Sequence, residues 1–160
     1  MSQTEQNLLE AFAGESQANR KYLAFAKQAE KEGYAQAAKL FRAAAEAETV
    51  HAHAHLRVLG GIGDTKDNLK EAVAGETHEF KSMYPDMIEE AVREDNKAAE
   101  RSFRYANEVE KIHHDLFEKA LNPGPNVHRL EGLGRPDKLL KDGHVLLDRC
   151  RHRHLGRSHG

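Results

Sequence analysis

Carboxylates stand where leucines are expected on four helical stripes, and this constrains the chain of 160 residues more than any other feature. Ala37, Phe41, Ala44, Glu48, His51, His55 and Val58 recur at steps of three and four, the period of one helix face. Glu48 and His51 therefore leave the same side of a helix. A second stripe, Ala99, Phe103, Ala106, Glu110, His113, Phe117 and Ala120, carries the same Glu-x-x-His pair. Two further stripes take carboxylates without a histidine, one on the first and two on the second. One is Leu8, Phe12, Glu15, Asn19, Tyr22, Ala26, Ala29; the other is Leu69, Ala72, Glu76, Glu79, Met83, Met87. Charge on a face meant for burial is costly unless it is paired or coordinates a metal.

Charged residues make up 31% of the chain, aromatics 6%, and there are only four prolines, which favours an all-α domain over a sheet protein. The punctuation predicts four helices. The first begins after Thr4 as N-cap and runs to Lys31, with Gly33 as terminator. The second spans about Tyr34 to Leu59 and stops at Gly60-Gly61-Ile62-Gly63. The third, capped by Asp64 or Thr65, reaches Glu94 with a bend at Pro85. The fourth runs from Asp95 or Asn96 to Leu121, where Asn122-Pro123-Gly124-Pro125 ends it. Residues 1–121 thus form the expected helical domain, and 122–160 a basic tail, flexible or weakly docked. A small docking helix around Leu139, Leu140, Val145, Leu146 and Leu147 is the alternative for part of that tail.

The chain repeats itself. Ala13-Gly14-Glu15-Ser16 matches Ala74-Gly75-Glu76-Thr77. Tyr22 follows seven residues after Glu15, and Tyr84 eight after Glu76; Glu15 to Glu48 is 33 residues, Glu76 to Glu110 is 34. Each half is a helical hairpin with a Glu on its first helix and Glu-x-x-His on its second. Packed as a four-helix bundle, the halves direct Glu15, Glu48, His51, Glu76, Glu79, Glu110 and His113 into one interior layer. That is the ligand arrangement of di-iron carboxylate bundles. Oxygen-rich ligation with a few imidazoles suits iron or manganese, and zinc is an alternative occupant. His55 reads as a hydrogen-bonded interior histidine or an alternative ligand. His53 faces away, and His78 and His114 read as solvent-facing neighbours.

Other classes are disfavoured. The net charge is −2, with 16 Lys+Arg against 22 Asp+Glu through Leu121 and 8 against 4 afterwards. An acidic body gives no reason to expect nucleic-acid binding. A single cysteine, Cys150, fits a reducing compartment. The polar N-terminus lacks a signal-peptide pattern, and no apolar run approaches a membrane span of about 20 residues. The expectation is a cytoplasmic protein with no membrane partner. Cys150, His152 and His154 in the basic finish fit no metal site that we can name.

Ala13-Gly14-Glu15-Ser16-Gln17-Ala18, Glu48-x-x-His51, Ala74-Gly75-Glu76-x-x-Glu79 with Met83-Tyr84-Pro85, and Glu110-x-x-His113 together resemble the rubrerythrin family. The resemblance covers about Thr4 to Leu121. It implies a ferritin-like four-helix bundle holding two non-haem iron ions and reducing hydrogen peroxide to water. It also implies separate roles for the ligands. Glu48 and Glu110 bridge the irons, and Glu15, Glu76 and His113 are terminal. Glu79 and His51 exchange at one iron between the oxidised and reduced states. Tyr22 and Tyr84 match tyrosines that hydrogen-bond near the site. Many members continue into a rubredoxin domain with two Cys-x-x-Cys pairs. This sequence has none, so an external electron donor such as a rubredoxin is expected. Ferroxidase or iron-handling activity, and a non-redox metal-binding bundle, are the alternative functions. The link from Gly60 to Thr65 is short for a bundle whose second and third helices run the same way. Hairpin swapping in a homodimer is therefore expected.

Overall fold

The structure is a computed structural model, and it describes residues 1–122. Among these the chain is all-α. The elements are α1 (Gln3–Lys31), α2 (Ala35–Val58), α3 (Thr65–His78), a five-residue π turn (Glu79–Met83), α4 (Tyr84–Arg93) and α5 (Lys97–Leu121). The residues from Pro123 on, where the tail, its docking helix and the Cys150 cluster were expected, lie outside the described residues. The chain forms two compact units, Met1–Asp64 and the remainder from Thr65.

In the first unit α1 starts two residues earlier than Thr4 predicts. Ser2 is the N-cap: its Oγ accepts from the Glu5 N–H at 3.2 Å, and its own N–H donates to Glu5 Oε2 at 2.6 Å. A reciprocal pair satisfies two first-turn donors, where Thr4 offers only one. Gly33, at φ +83°, closes the helix. The Tyr34 N–H reaches back to Ala29 O at 2.8 Å and the Gly33 N–H to Glu30 O at 3.1 Å, so orphan carbonyls are met as the chain reverses. α2 then packs on α1 through small side chains. Ala26 and Ala29 of α1 and Ala38, Ala45 and Ala52 of α2 are buried. Asn19 is buried with them and donates from Nδ2 to Ala45 O at 2.7 Å and to Thr49 Oγ1 at 2.8 Å. This polar clamp fixes the register of the two helices one turn from Glu15 and Glu48.

Val58, placed on the inward stripe of α2 by its spacing, is 71% exposed instead. The buried line of α2 runs at seven-residue steps through Ala38, Ala45 and Ala52. This turns the Glu48 stripe to the side of the α1 contact.

In the second unit the expected single third helix is divided. The π turn precedes Pro85, which occupies the first turn of α4, where its missing N–H is tolerated. The turn accounts for the uneven repeat. The offset between equivalent residues is 61 from Glu15 to Glu76 but 62 from Tyr22 to Tyr84, from Gly33 to Asp95 and from Glu48 to Glu110. The extra residue therefore lies between Glu76 and Tyr84, where the π turn sits. A π turn takes one more residue than an α turn, so the inward stripe advances by one beyond it. Met87 is accordingly 39% exposed, while Ile88 is half-buried and Ala91 buried. Asp95, at φ +53°, repeats the left-handed turn made by Gly33, and Asn96 Oδ1 caps α5 by accepting from the Ala99 N–H at 3.1 Å.

Candidate metal centre

Each hairpin brings three of the expected ligands together. Glu15, Glu48 and His51 each offer an atom within 4.8 Å of the others in the first unit, and Glu76, Glu110 and His113 do the same in the second. The register set by Asn19 places Glu15 of α1 opposite Glu48 of α2. The three-residue spacing stacks each His on its Glu: His51 Nδ1 lies 3.1 Å from Glu48 Oε2, and His113 Nδ1 lies 2.7 Å from Glu110 Oε2. His113 Nδ1 is also 3.6 Å from Glu76 Oε1.

The carboxylates are withdrawn from solvent. The side chains of Glu48, Glu76 and Glu110 are 18%, 18% and 15% exposed, whereas His51 remains 58% exposed. Burial, followed by the hydrogen bond and negative charge of Glu110, raises the pKa of Glu76; His113 opposes this. Glu76 Oε2 is buried with no protein partner. A cluster that is anionic, desolvated and short of donors is unfavourable by itself, and a divalent cation would supply the missing partner. Carboxylate oxygens with one imidazole per half suit a hard to borderline metal such as iron. The residues present fit such an ion.

Glu79 does not join either three-residue cluster. It opens the π turn, half-buried, and its charge is felt at Tyr84. Burial is the largest cause of the raised Tyr84 pKa, followed by Glu110, Glu79 and Glu76 in turn. Tyr84 thus sits within the field of the second-unit carboxylates. Tyr22 instead packs its ring on Phe25 and Phe41, at centroid distances of 6.3 and 6.2 Å. His55 is half-buried, and His53 and His78 are exposed, as expected.

Two features escaped the sequence reading. His114 is not a simple solvent neighbour: its side chain is 18% exposed, its ring meets Phe80 edge-on at 5.3 Å, and it groups with Asp115 and Glu118. The other is the π turn, whose signal was the one-residue excess in the second half. Among the described residues no helix is long and apolar enough to cross a membrane.

Residues 6–121 match the sequence model of the rubrerythrin family. Rubrerythrin-2 of Clostridium acetobutylicum is 42% identical over 127 residues, covering 71% of this chain and 69% of that protein. Rubrerythrin of Porphyromonas gingivalis is 42% identical over 125 residues, covering 70% of this chain and 62% of that protein. A solved structure of nigerythrin in its fully reduced, all-ferrous state is 33% identical, covering 76% of this chain and 67% of its own, with a TM-score of 0.39. With the family match running from residue 6 to 121 through both hairpins, this chain belongs to the rubrerythrin family of ferritin-like, oxidative-stress di-iron proteins, whose cofactor is a pair of non-haem iron ions.

Proposed function

We propose that this protein is a peroxidase that reduces hydrogen peroxide to water with electrons from a separate donor protein such as a rubredoxin. Residues 1–121 act as one metal-binding domain in this reading. Glu15, Glu48, His51, Glu76, Glu79, Glu110 and His113 would hold the two irons, and a pair of ferrous ions would supply the two electrons that cleaving the O–O bond requires.

The observation that carries the reading is the additional carboxylate. Six ligands, three from each hairpin, already satisfy the pattern of an oxygen-activating bundle. Glu79 is a seventh, and it stands on a π turn, a helical irregularity that is frequent at functional sites. The first hairpin has no counterpart to it, since neither Gln17 nor Ala18 is acidic. In this reading, as the family resemblance implies, Glu79 and His51 would be alternative ligands, carboxylate or imidazole, for one of the two irons. Tyr84, like any phenol with a pKa near the ordinary value of about 10, keeps its proton at neutral pH, and in the metal-free protein burial and the surrounding carboxylates disfavour the phenolate further. It is therefore a hydrogen-bond donor at neutral pH, suited to orient an oxygen held beside Glu76 and Glu110.

The test is to load the protein anaerobically with ferrous iron and mix it in a stopped-flow instrument with peroxide or with oxygen. Oxidation by peroxide should be faster by at least about tenfold, the order expected when ligation is tuned to one substrate. Comparable or faster oxidation by oxygen would assign a ferroxidase or iron-handling role instead. Absence of any redox response would assign a non-redox metal bundle.

A further inference from the structure

We propose that His114, Asp115 and Glu118 form a separate site on α5 for a single divalent transition-metal ion of zinc-like chemistry, distinct from the paired centre. Glu118 stands four residues after His114 and three after Asp115, so one turn of helix brings both within its reach. The ligand atoms of all three lie within 4.8 Å of one another, and His114 Nδ1 is 3.2 Å from Asp115 Oδ1. Successive side chains diverge by about 100° around a helix. The ring of His114 is therefore turned away from Glu76 and Glu110, the carboxylates that His113 meets.

The repeat shows that this cluster is an addition and not a copy. At the offset of 62 residues, His114 corresponds to Ala52, Asp115 to His53 and Glu118 to Leu56. In the first hairpin Ala52 is buried on the line where α1 and α2 touch. An imidazole at the equivalent place is larger, and its nitrogens need partners because an unbonded polar group is costly to bury. The second hairpin accommodates it in two ways. Phe80, from the π turn, meets the ring edge-on at a centroid distance of 5.3 Å and fixes its plane, leaving the side chain 18% exposed. The polar edge of the ring is then directed to the carboxylate of Asp115. A ligand already held in one orientation has less freedom to lose when an ion binds.

The carboxylates are available to an ion. Lys111 and Lys119 stand four residues before and after Asp115, the spacing of a helical ion pair. Among the described residues, however, neither Asp115 nor Glu118 pairs with a lysine or arginine. Two carboxylates and a neutral imidazole carry a charge that one divalent cation cancels. One ring nitrogen with two oxygens suits zinc or a similar borderline ion, whereas calcium and magnesium favour oxygen alone. The side chain of Asp115 is 66% exposed, so water completes the coordination shell.

Zinc is the probe. Iron-loaded, full-length protein is titrated with zinc chloride in a calorimeter beside His114→Ala, Asp115→Asn and Glu118→Gln. Iron is measured in every sample at the end, to show that the paired centre has kept its metal. Wild type should bind one zinc ion per chain that each variant loses or binds at least about tenfold more weakly, with the same iron content in all four proteins. The two amide variants preserve side-chain shape at exposed positions, and they decide the matter if His114→Ala does not fold. Three results overturn the proposal. Wild type takes up no zinc beyond its iron; zinc enters only as iron leaves; or the variants bind zinc as wild type does, as they would if Cys150, His152 or His154 were the ligands. X-ray absorption at the zinc edge adds a check of a different kind. Nitrogen and oxygen neighbours at about 2.0–2.2 Å are expected, and a sulfur neighbour at about 2.3 Å overturns the assignment.

Discussion

The acidic cluster proposed to hold the metal should weaken the protein when no metal is bound, and Glu76→Gln measures by how much. Oxygens of Glu76 and Glu110 lie within 4.8 Å of each other. Two unit charges at that separation repel by about 0.9 kcal/mol in bulk water and about 3.5 kcal/mol at an effective dielectric constant of 20. The side chains are 18% and 15% exposed, which places the pair between those limits, and His113 offsets part of the repulsion when protonated. We expect Gln at this position to stabilise the metal-free protein by about 1–2 kcal/mol at pH 7.

The pH dependence has a definite sign. The pKa of Glu76 is raised in the folded state, so the folded protein holds this proton more tightly than the unfolded chain does. Its contribution favours folding at pH values below the ordinary glutamate range and is lost as pH rises through the raised folded value. The advantage of the Gln variant should therefore be near zero at pH 4 and grow toward pH 7. Urea denaturation in the presence of a chelator, repeated across that range, provides the measurement. With ferrous iron added the order should reverse, because ligand binding stabilises only the chain that binds. A Gln variant less stable than wild type at pH 7 without metal, or an advantage independent of pH, would refute the reasoning.

Other substitutions probe separate parts of the account. Asn19→Ala removes both hydrogen bonds from Nδ2 to α2 and should cost about 1–2 kcal/mol in chemical denaturation. Gly33→Ala forces a Cβ into a left-handed turn at φ +83° and should cost about 1 kcal/mol by the same assay, with no change in iron content. Glu79→Ala should slow oxidation of the ferrous protein by peroxide by about tenfold or more while shifting the denaturation midpoint little. Equal slowing with oxygen and peroxide would deny Glu79 a role in selecting the oxidant.

Much of the site was legible because helical spacing is rigid. Once Glu48-x-x-His51 and Glu110-x-x-His113 were seen on apolar stripes, their pairing within each hairpin followed from the 3.6-residue period alone. Gly33 as terminator was equally plain, since few residues tolerate the conformation it adopts. The failures have a common cause in geometry that is not α-helical. Met87 was assigned inward because a continuous α period was carried through Pro85, whereas the π turn moves that role to Ile88. The eight-residue step from Glu76 to Tyr84, against seven from Glu15 to Tyr22, already contained that turn. Ser2 was passed over because a capping box depends on the reciprocal Glu5 contact rather than on one residue type. Val58 was misplaced because the stripe that carries ligands differs from the line along which α1 and α2 touch. Spacing reveals that a face is apolar but not which neighbour covers it.

The central claim is that two half-sets of ligands on two hairpins serve one paired-metal centre. Anaerobic titration with ferrous iron, comparing wild type with the Glu48→Ala, His51→Ala variant, tests it most directly. The account predicts two tightly bound ions per chain in wild type and loss of both when the first hairpin alone is damaged. A variant that retains one ion per chain at wild-type affinity on Glu76, Glu110 and His113 would show two independent sites, and would contradict it.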